Sequence, residues 1–140
     1  MRPIYETQQD KDNESSVRER ICKLYNCTCR KSVELSSVDG MLVDGNGNNV
    51  AIIEIKNRRN AHNKYPTYML SAGKWRRGMQ IAEQYGLPFL LFVGFTDGVY
   101  YTKLKKHYET SMGGRTDRFD PFDQESCIYI NMSDFRKMEG

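Results

Sequence analysis

Residues 39–56, DGMLVDGNGNNVAIIEIK, hold the strongest local signal in the chain: two β-prone apolar runs joined by a polar, glycine-rich link. Asp39–Val43 and Asn49–Lys56 are the strand candidates, because branched apolar residues suit a pleated surface. Between them, Asn46-Gly47 is the preferred pair for a two-residue type I′ turn, in which both positions need positive φ. With that pair at the tip, residues oppose one another outward as Gly45 with Asn48, Asp44 with Asn49, Val43 with Val50, and so to Asp39 with Glu54. Directly opposed residues share a face with their Cβ atoms about 4.5–5.5 Å apart, so Asp39 and Glu54 are predicted to stand side by side. The period of two along a strand puts Lys56 on the same face, one step beyond Glu54.

Carboxylates held this close repel, and each raises the pKa of the other unless a positive charge intervenes. Ile52 and Ile53 make both faces of the strand apolar, so the charges fall where burial is expected and unpaired charge is costly. Hard carboxylate oxygens suit Mg²⁺, with Mn²⁺ able to substitute, and such ions need few protein ligands because they keep several waters. A divalent ion lowers the pKa of a water and polarises a phosphoryl oxygen, while a neighbouring lysine stabilises developing negative charge or orients the attacking water. The pattern predicts a phosphodiesterase site. The plainer alternative makes Asp39 the first residue of a strand and Glu54 with Lys56 an ordinary surface salt bridge, since an acid-x-lysine triplet is common by chance. The apolar setting of the triplet favours chemistry.

Outward from this hairpin, Val17, Ile21, Leu24 and Tyr25 recur at helical spacing and predict a helix over Asn13–Tyr25, with Asp12 or Asn13 as its cap. Glu14 falls on the apolar stripe of that helix, an acid aimed at the core. Residues 1–12 read as a flexible leader, and Lys31–Ser36 alternates weakly as a strand around Val33 and Leu35. After a turn-rich basic segment ending at Pro66, Ser71 can cap a helix running to Tyr85, stopped by Gly86 with Pro88 beyond. Trp75, Met79 and Ala82 form its buried stripe, and Gly78 permits close approach to a sheet. Phe89–Phe95 is a continuous apolar run, as in a strand covered on both faces, and Val99–Leu104 can return beside it. Residues 110–125 read as a long loop, Cys127–Asn131 as a last strand, and Ser133 as the cap of a final helical turn. The order predicts one α/β domain over 13–140 with a mixed sheet flanked by helices.

The 140 residues are 39% hydrophobic, enough for one sizeable core, and contain no apolar run of membrane-spanning length. With no signal-peptide pattern at the N-terminus, a cytoplasmic protein with no membrane attachment is expected, and its four cysteines are expected to be reduced thiols. Zinc is disfavoured because Cys22, Cys27 and Cys29 lack Cys-x-x-Cys spacing. The net charge of +3 is mild, but no acid falls between Lys56 and Glu83, where Arg58, Arg59, Lys64, Lys74, Arg76 and Arg77 gather. A second basic group, Lys103, Lys105, Lys106 and His107, is interleaved with tyrosines. Basic groups mixed with aromatics neutralise phosphates and stack on bases, although a solvated lysine-rich face would read the same way.

Glu14 in a first helix, Val38-Asp39-Gly40 at the start of a strand, Glu54-Ile55-Lys56 on the next, and a basic helix thereafter resemble the PD-(D/E)XK nuclease superfamily across about residues 13–104. Val38 stands where the proline of the named motif would be. The resemblance implies a restriction-endonuclease-like αβββαβ core. It implies that Asp39 and Glu54 ligate the metal together with the backbone carbonyl of Ile55, that Lys56 is the catalytic lysine, and that Glu14 joins the site. Lys74 falls where related enzymes direct a Gln or Lys at the substrate phosphate. Asp44 is a rival for Asp39 but lies too near the turn to reach Glu54.

The expected function is therefore metal-dependent hydrolysis of DNA phosphodiesters by a small phage-type endonuclease of structure-selective or weak sequence specificity, acting in the host cytoplasm. Arg58, Arg59, Lys64 and Arg77 would grip the backbone without reading sequence. A branched-DNA (Holliday-junction) resolvase or an exonuclease of the same fold, and a non-catalytic nucleic-acid-binding module, are the alternatives. Symmetric cutting of both strands would suit a homodimer, but no patch in the sequence identifies an interface.

Overall fold

The computed structural model describes residues 8–114 and 124–139. Its elements follow in the order α1 (Gln8–Tyr25), β1 (Cys27–Arg30), β2 (Gly40–Asp44), β3 (Asn49–Asn57), β4 (Thr67–Ser71), α2 (Ala72–Tyr85), β5 (Phe89–Phe95), β6 (Gly98–Lys103), β7 (Thr110–Gly114), β8 (Gln124–Asn131) and β9 (Arg136–Lys137). A six-stranded mixed sheet has the order β1-β2-β3-β5-β6-β9, and β4-β8-β7 form a second, three-stranded sheet. Among the described residues only β3 and β5 pair in parallel, and the segment between them carries α2. A parallel neighbour requires such a crossover.

The β2–β3 hairpin reaches the expected register by an unexpected route. The loop is three residues long: Asp44 N–H donates to Asn48 O at 2.9 Å and Gly47 N–H to Asp44 O at 3.0 Å. Gly47 has φ 82°, whereas Asn46 is not among the residues with positive φ, so the turn is not type I′. A three-residue loop needs the left-handed conformation at one position only. The Asp44 carboxylate stabilises the turn by accepting the Asn46 and Asn48 N–H groups at 3.0 and 2.9 Å. Val43 consequently opposes Asn49, and an irregularity between Leu42 and Val43 absorbs the extra residue. Beyond it Leu42 opposes Ala51, Met41 Ile52 and Gly40 Ile53, and the same register carried one step further sets Asp39 opposite Glu54.

β3 is covered on both faces, which explains its unbroken apolar pattern. Ile52 packs with Trp75, Ala82, Phe89 and Ile128 under α2 and the smaller sheet. Ala51, Ile53 and Ile55 pack with Val17 and Ile21 of α1. α2 is capped as expected: Ser71 Oγ accepts the Lys74 N–H, and Gly86 closes the helix at φ 67°. A Cβ at Gly78 would collide with the Phe89 ring, so this glycine does set the approach of α2 to the sheet.

Several elements differ from expectation, among them β9, where no strand was expected, and the last turn, a 3₁₀ turn at Met132–Asp134 in which Ser133 sits inside and Asn131 is the N-cap. α1 begins at Gln8, so Asp12 and Asn13 lie inside the helix instead of capping it; the polar run before them is rich in good helix formers. The strand expected at Lys31–Ser36 is a 3₁₀ turn at Val33–Leu35, with Leu35 buried and Val33 92% exposed, and the edge strand lies earlier, at β1. β4 occupies the end of the segment read as turn, and β7 with the start of β8 lies in the stretch read as loop. Residues 115–123 fall outside the described residues. No helix among the described residues is long and apolar enough to cross a membrane.

Candidate active site

β2 ends at the level of Glu54, and Asp39 stands at that end. Its N–H still donates to Ile53 O at 3.0 Å, while its Oδ2 accepts the Ile55 N–H at 2.6 Å. Asp39 thus bridges the place where the ladder stops. The N–H and C=O of an extended residue leave the same edge of its strand, so the Ile55 carbonyl faces this opening as well. Glu54 lies on the opposite flank of the α1 core, on the face of β3 that α2 covers, and is 2% exposed.

The two lysines beside it come from different elements. Lys56 Nζ, two residues on along β3, lies 3.7 Å from Glu54 Oε2, and Lys74 Nζ, from the first turn of α2, lies 3.5 Å from the same oxygen. Lys74 also donates to Ser37 O at 3.3 Å, which ties α2 to the chain before β2. Both ammonium groups keep about a third of their side-chain surface in solvent, at 31% and 33%. Glu54 Oε1 is fully buried and accepts no hydrogen bond among the described residues. Burial, and then the charge of Asp39, push the Glu54 carboxyl from an ordinary 4.5 up to about 7, against the opposing pull of Lys74 and Lys56.

An ionised buried oxygen without a donor is a costly arrangement that a cation would relieve. The donor set fits Mg²⁺ or Mn²⁺: two carboxylates and a backbone carbonyl, all hard oxygens, with Asp39 itself only part-buried. No group of three or more His, Cys, Asp or Glu side chains placed to hold a metal ion occurs among the described residues.

A family model described as "Phage putative PDDEXK endonuclease" matches residues 1–138. The chain belongs to that family. No curated protein matches it.

In this PDDEXK chain the remaining predicted residues are placed unevenly. The charge of Glu14, like that of Glu54, raises the pKa of the Tyr68 hydroxyl. Arg58 lies with its guanidinium 4.7 Å from the centre of the Tyr68 ring. Lys64 lies over Tyr65, and Arg77 folds back toward Gly73 at the start of α2. Arg59 is exposed. Asp44 is engaged in its turn, away from Glu54. Cys22, Cys27 and Cys29 are free, and burial raises each thiol above its ordinary value, which favours the protonated form.

Tyr68 is the residue that sequence reasoning missed. It is 4% exposed, its hydroxyl has no hydrogen-bond partner among the described residues, and burial raises its pKa with Glu54 and Glu14 adding to the effect. Its only signal was the alternation in Thr67–Ser71, which the nearby helix cap obscured.

The Glu54 shift has a consequence for stability. The folded protein holds this proton more tightly than the unfolded chain, so the contribution is complete below about pH 4.5 and is lost as pH rises through about 7. A shift from 4.5 to about 7 sets an upper bound of about 3 kcal/mol. Unfolding in urea with chelator present, at pH 5 to 8, is expected to show wild type losing stability relative to Glu54→Gln as pH rises. A pH-independent difference would mean that the lysines neutralise Glu54 completely, as in an ordinary ion pair.

Proposed function

We propose that this protein is a metal-dependent endonuclease that hydrolyses phosphodiester bonds in DNA, with structure-selective or weak sequence specificity. The observation that carries this is the buried, unpartnered Glu54 Oε1, set opposite Asp39 and kept electrically tolerable by two lysines. A merely structural pair would have little reason to leave that oxygen without a donor.

Asp39, Glu54 and the Ile55 carbonyl are the groups that would hold the ion, which when bound supplies Lewis acidity toward water and toward a phosphoryl oxygen. The chain provides the rest. Lys56 faces solvent beside Glu54 and neutralises the charge that builds on the phosphate oxygens as the new bond forms. Lys74 holds Glu54 Oε2 and Ser37 O together, and so fixes the acid before substrate arrives and presents a positive charge at the start of α2, where the helix dipole also favours an anion. Arg58, Arg59, Lys64 and Arg77 are the basic groups that would position the DNA backbone without reading bases.

The test is incubation with linear, closed circular, single-stranded and branched DNA, in Mg²⁺, in Mn²⁺ and in chelator, beside Asp39→Ala. Nicking of closed circles in either metal, lost in chelator and in the variant, is expected. Degradation of linear DNA with circles left intact would make the enzyme an exonuclease, and no cleavage under any condition would leave only a binding module.

A further inference from the structure

A cleft of about 400 Å³ opens between the segment that follows β3 and the paired strands β4 and β8. Its walls include Arg58, Tyr65, Tyr68, Met69, Phe95 and Tyr129. Tyr65, Met69 and Tyr129 are 57%, 38% and 40% exposed, and Met69 and Tyr129 are direct cross-strand partners. Three of the seven large apolar side chains exposed among the described residues are thus gathered in one place. A gathering of that kind marks a binding surface more often than an accident of packing.

Arg58, two residues beyond Lys56 in the chain, lines the cleft and links it to the end of β3 that carries Glu54 and Lys56. Tyr68 forms the inner wall of the cleft, carries the Arg58 guanidinium on its ring and lies within the electrostatic reach of Glu54. Its outer lip is fixed in advance. The backbone N–H of His62 donates to Asp97 Oδ1 at 2.9 Å, its Nδ1 lies 2.5 Å from Asp97 Oδ2, and its ring stacks on Tyr100 with centroids 4.3 Å apart. Lys64 lies over the ring of Tyr65, so the rim is cationic while the walls are aromatic.

We propose that this cleft receives an unpaired nucleobase of the substrate strand beside the scissile phosphate, so that the preferred substrate is DNA with unstacked bases at the cut: a single strand, flap or branch. The proposal rests on the nuclease reading given above. Aromatic walls match the π-faces of a base, and a cationic rim matches the phosphates on either side of it. A base within continuous duplex is stacked on its neighbours and cannot enter without being flipped out, whereas an unpaired base enters at little cost. A volume of about 400 Å³ lies at the small end of ligand-sized clefts, room for one base and not for a helix.

The experiment is fluorescence anisotropy with labelled 12-mers in chelator, using wild type, Tyr65→Ala, Tyr129→Ala and Tyr129→Phe, with Mg²⁺-dependent cleavage followed separately. Wild type is expected to bind the single strand at least about tenfold more tightly than the matching duplex. Each alanine variant should lose about tenfold on the single strand and little on the duplex, Tyr129→Phe should retain wild-type affinity, and an abasic 12-mer should bind wild type as weakly as the intact strand binds the alanine variants. Equal affinity for single strand and duplex, or losses of equal size on both, would overturn the cleft while leaving the nuclease reading intact if wild type still cuts DNA in Mg²⁺. Absence of both binding and cutting would overturn both.

Discussion

Glu54→Gln is expected to reduce DNA cleavage by at least roughly 1,000-fold while making the metal-free protein more stable at pH 8. The two effects come from one cause. Glutamine keeps the volume of Glu54 and can still accept from Lys56 and Lys74, but it removes the negative charge that a divalent cation needs. It also removes the cost of holding a buried carboxylate ionised, since Glu54 is 2% exposed and its pKa has risen to about 7. Taking one partner from a buried ion pair usually destabilises, because the other charge is left stranded. Lys56 and Lys74 escape that penalty because each keeps about a third of its side chain in water, at 31% and 33%. A gain of about 1–2 kcal/mol, or a few degrees in Tm, is the expected size. Activity is read from nicking of circular DNA in Mg²⁺, and stability from thermal melting in chelator. A structural salt bridge predicts the reverse: a lower Tm and unchanged cleavage.

The lysines are expected to fail in different ways. Lys56→Ala should lower kcat by roughly 100–1,000-fold with the pH profile little moved, because its ammonium group faces solvent where a phosphate would dock. Lys74→Ala should cost less rate at high pH but displace the acid limb of the profile upward. Of the two lysines, Lys74 is the stronger opponent of the rise in Glu54, so its loss leaves the carboxyl protonated to higher pH and unable to hold a cation. Cleavage rates of both variants from pH 6 to 9 decide the matter. Identical profiles for the two would show that the lysines are interchangeable countercharges.

Much of this site was legible in residues 39–56, because strand pairing converts sequence spacing into distance. The opposition of Asp39 to Glu54 followed from counting outward from Asn46-Gly47. The count succeeded although the turn has three residues, because the extra residue in the loop is cancelled by the irregularity near Val43. The sequence carried no sign of that compensation. α2 was legible because Ser71 and Gly86 are caps with a mechanism of their own. β4, β7 and β9 were not. Each depends on a distant partner: β4 on β8, β7 on β8 and β9 on β6. Short edge strands of this kind are held by their neighbours and not by local propensity.

The same limit explains why the cleft was hidden. Tyr65, Met69 and Tyr129 are spread over 65 residues, and the pairing of β4 with β8 is what sets Met69 beside Tyr129. Lys74 was noticed for its place in a familiar order, but its reach to both Glu54 and Ser37 depends on the tilt of α2, which Gly78 permits by admitting the Phe89 ring. Glu14 shows the weakness of face-counting alone. Its place on the α1 stripe was readable, whereas its proximity to Tyr68 required knowing where β4 lies.

The proposed function makes Asp39, Glu54 and Lys56 a metal-dependent centre for DNA hydrolysis. Its most direct test is one time course of wild-type protein on closed circular DNA, begun in Mg²⁺ and divided midway, with excess chelator added to one half. The account predicts that nicking stops in the chelated half and resumes when Mg²⁺ or Mn²⁺ is restored in excess. Cleavage that continues at an unchanged rate in chelator would contradict it.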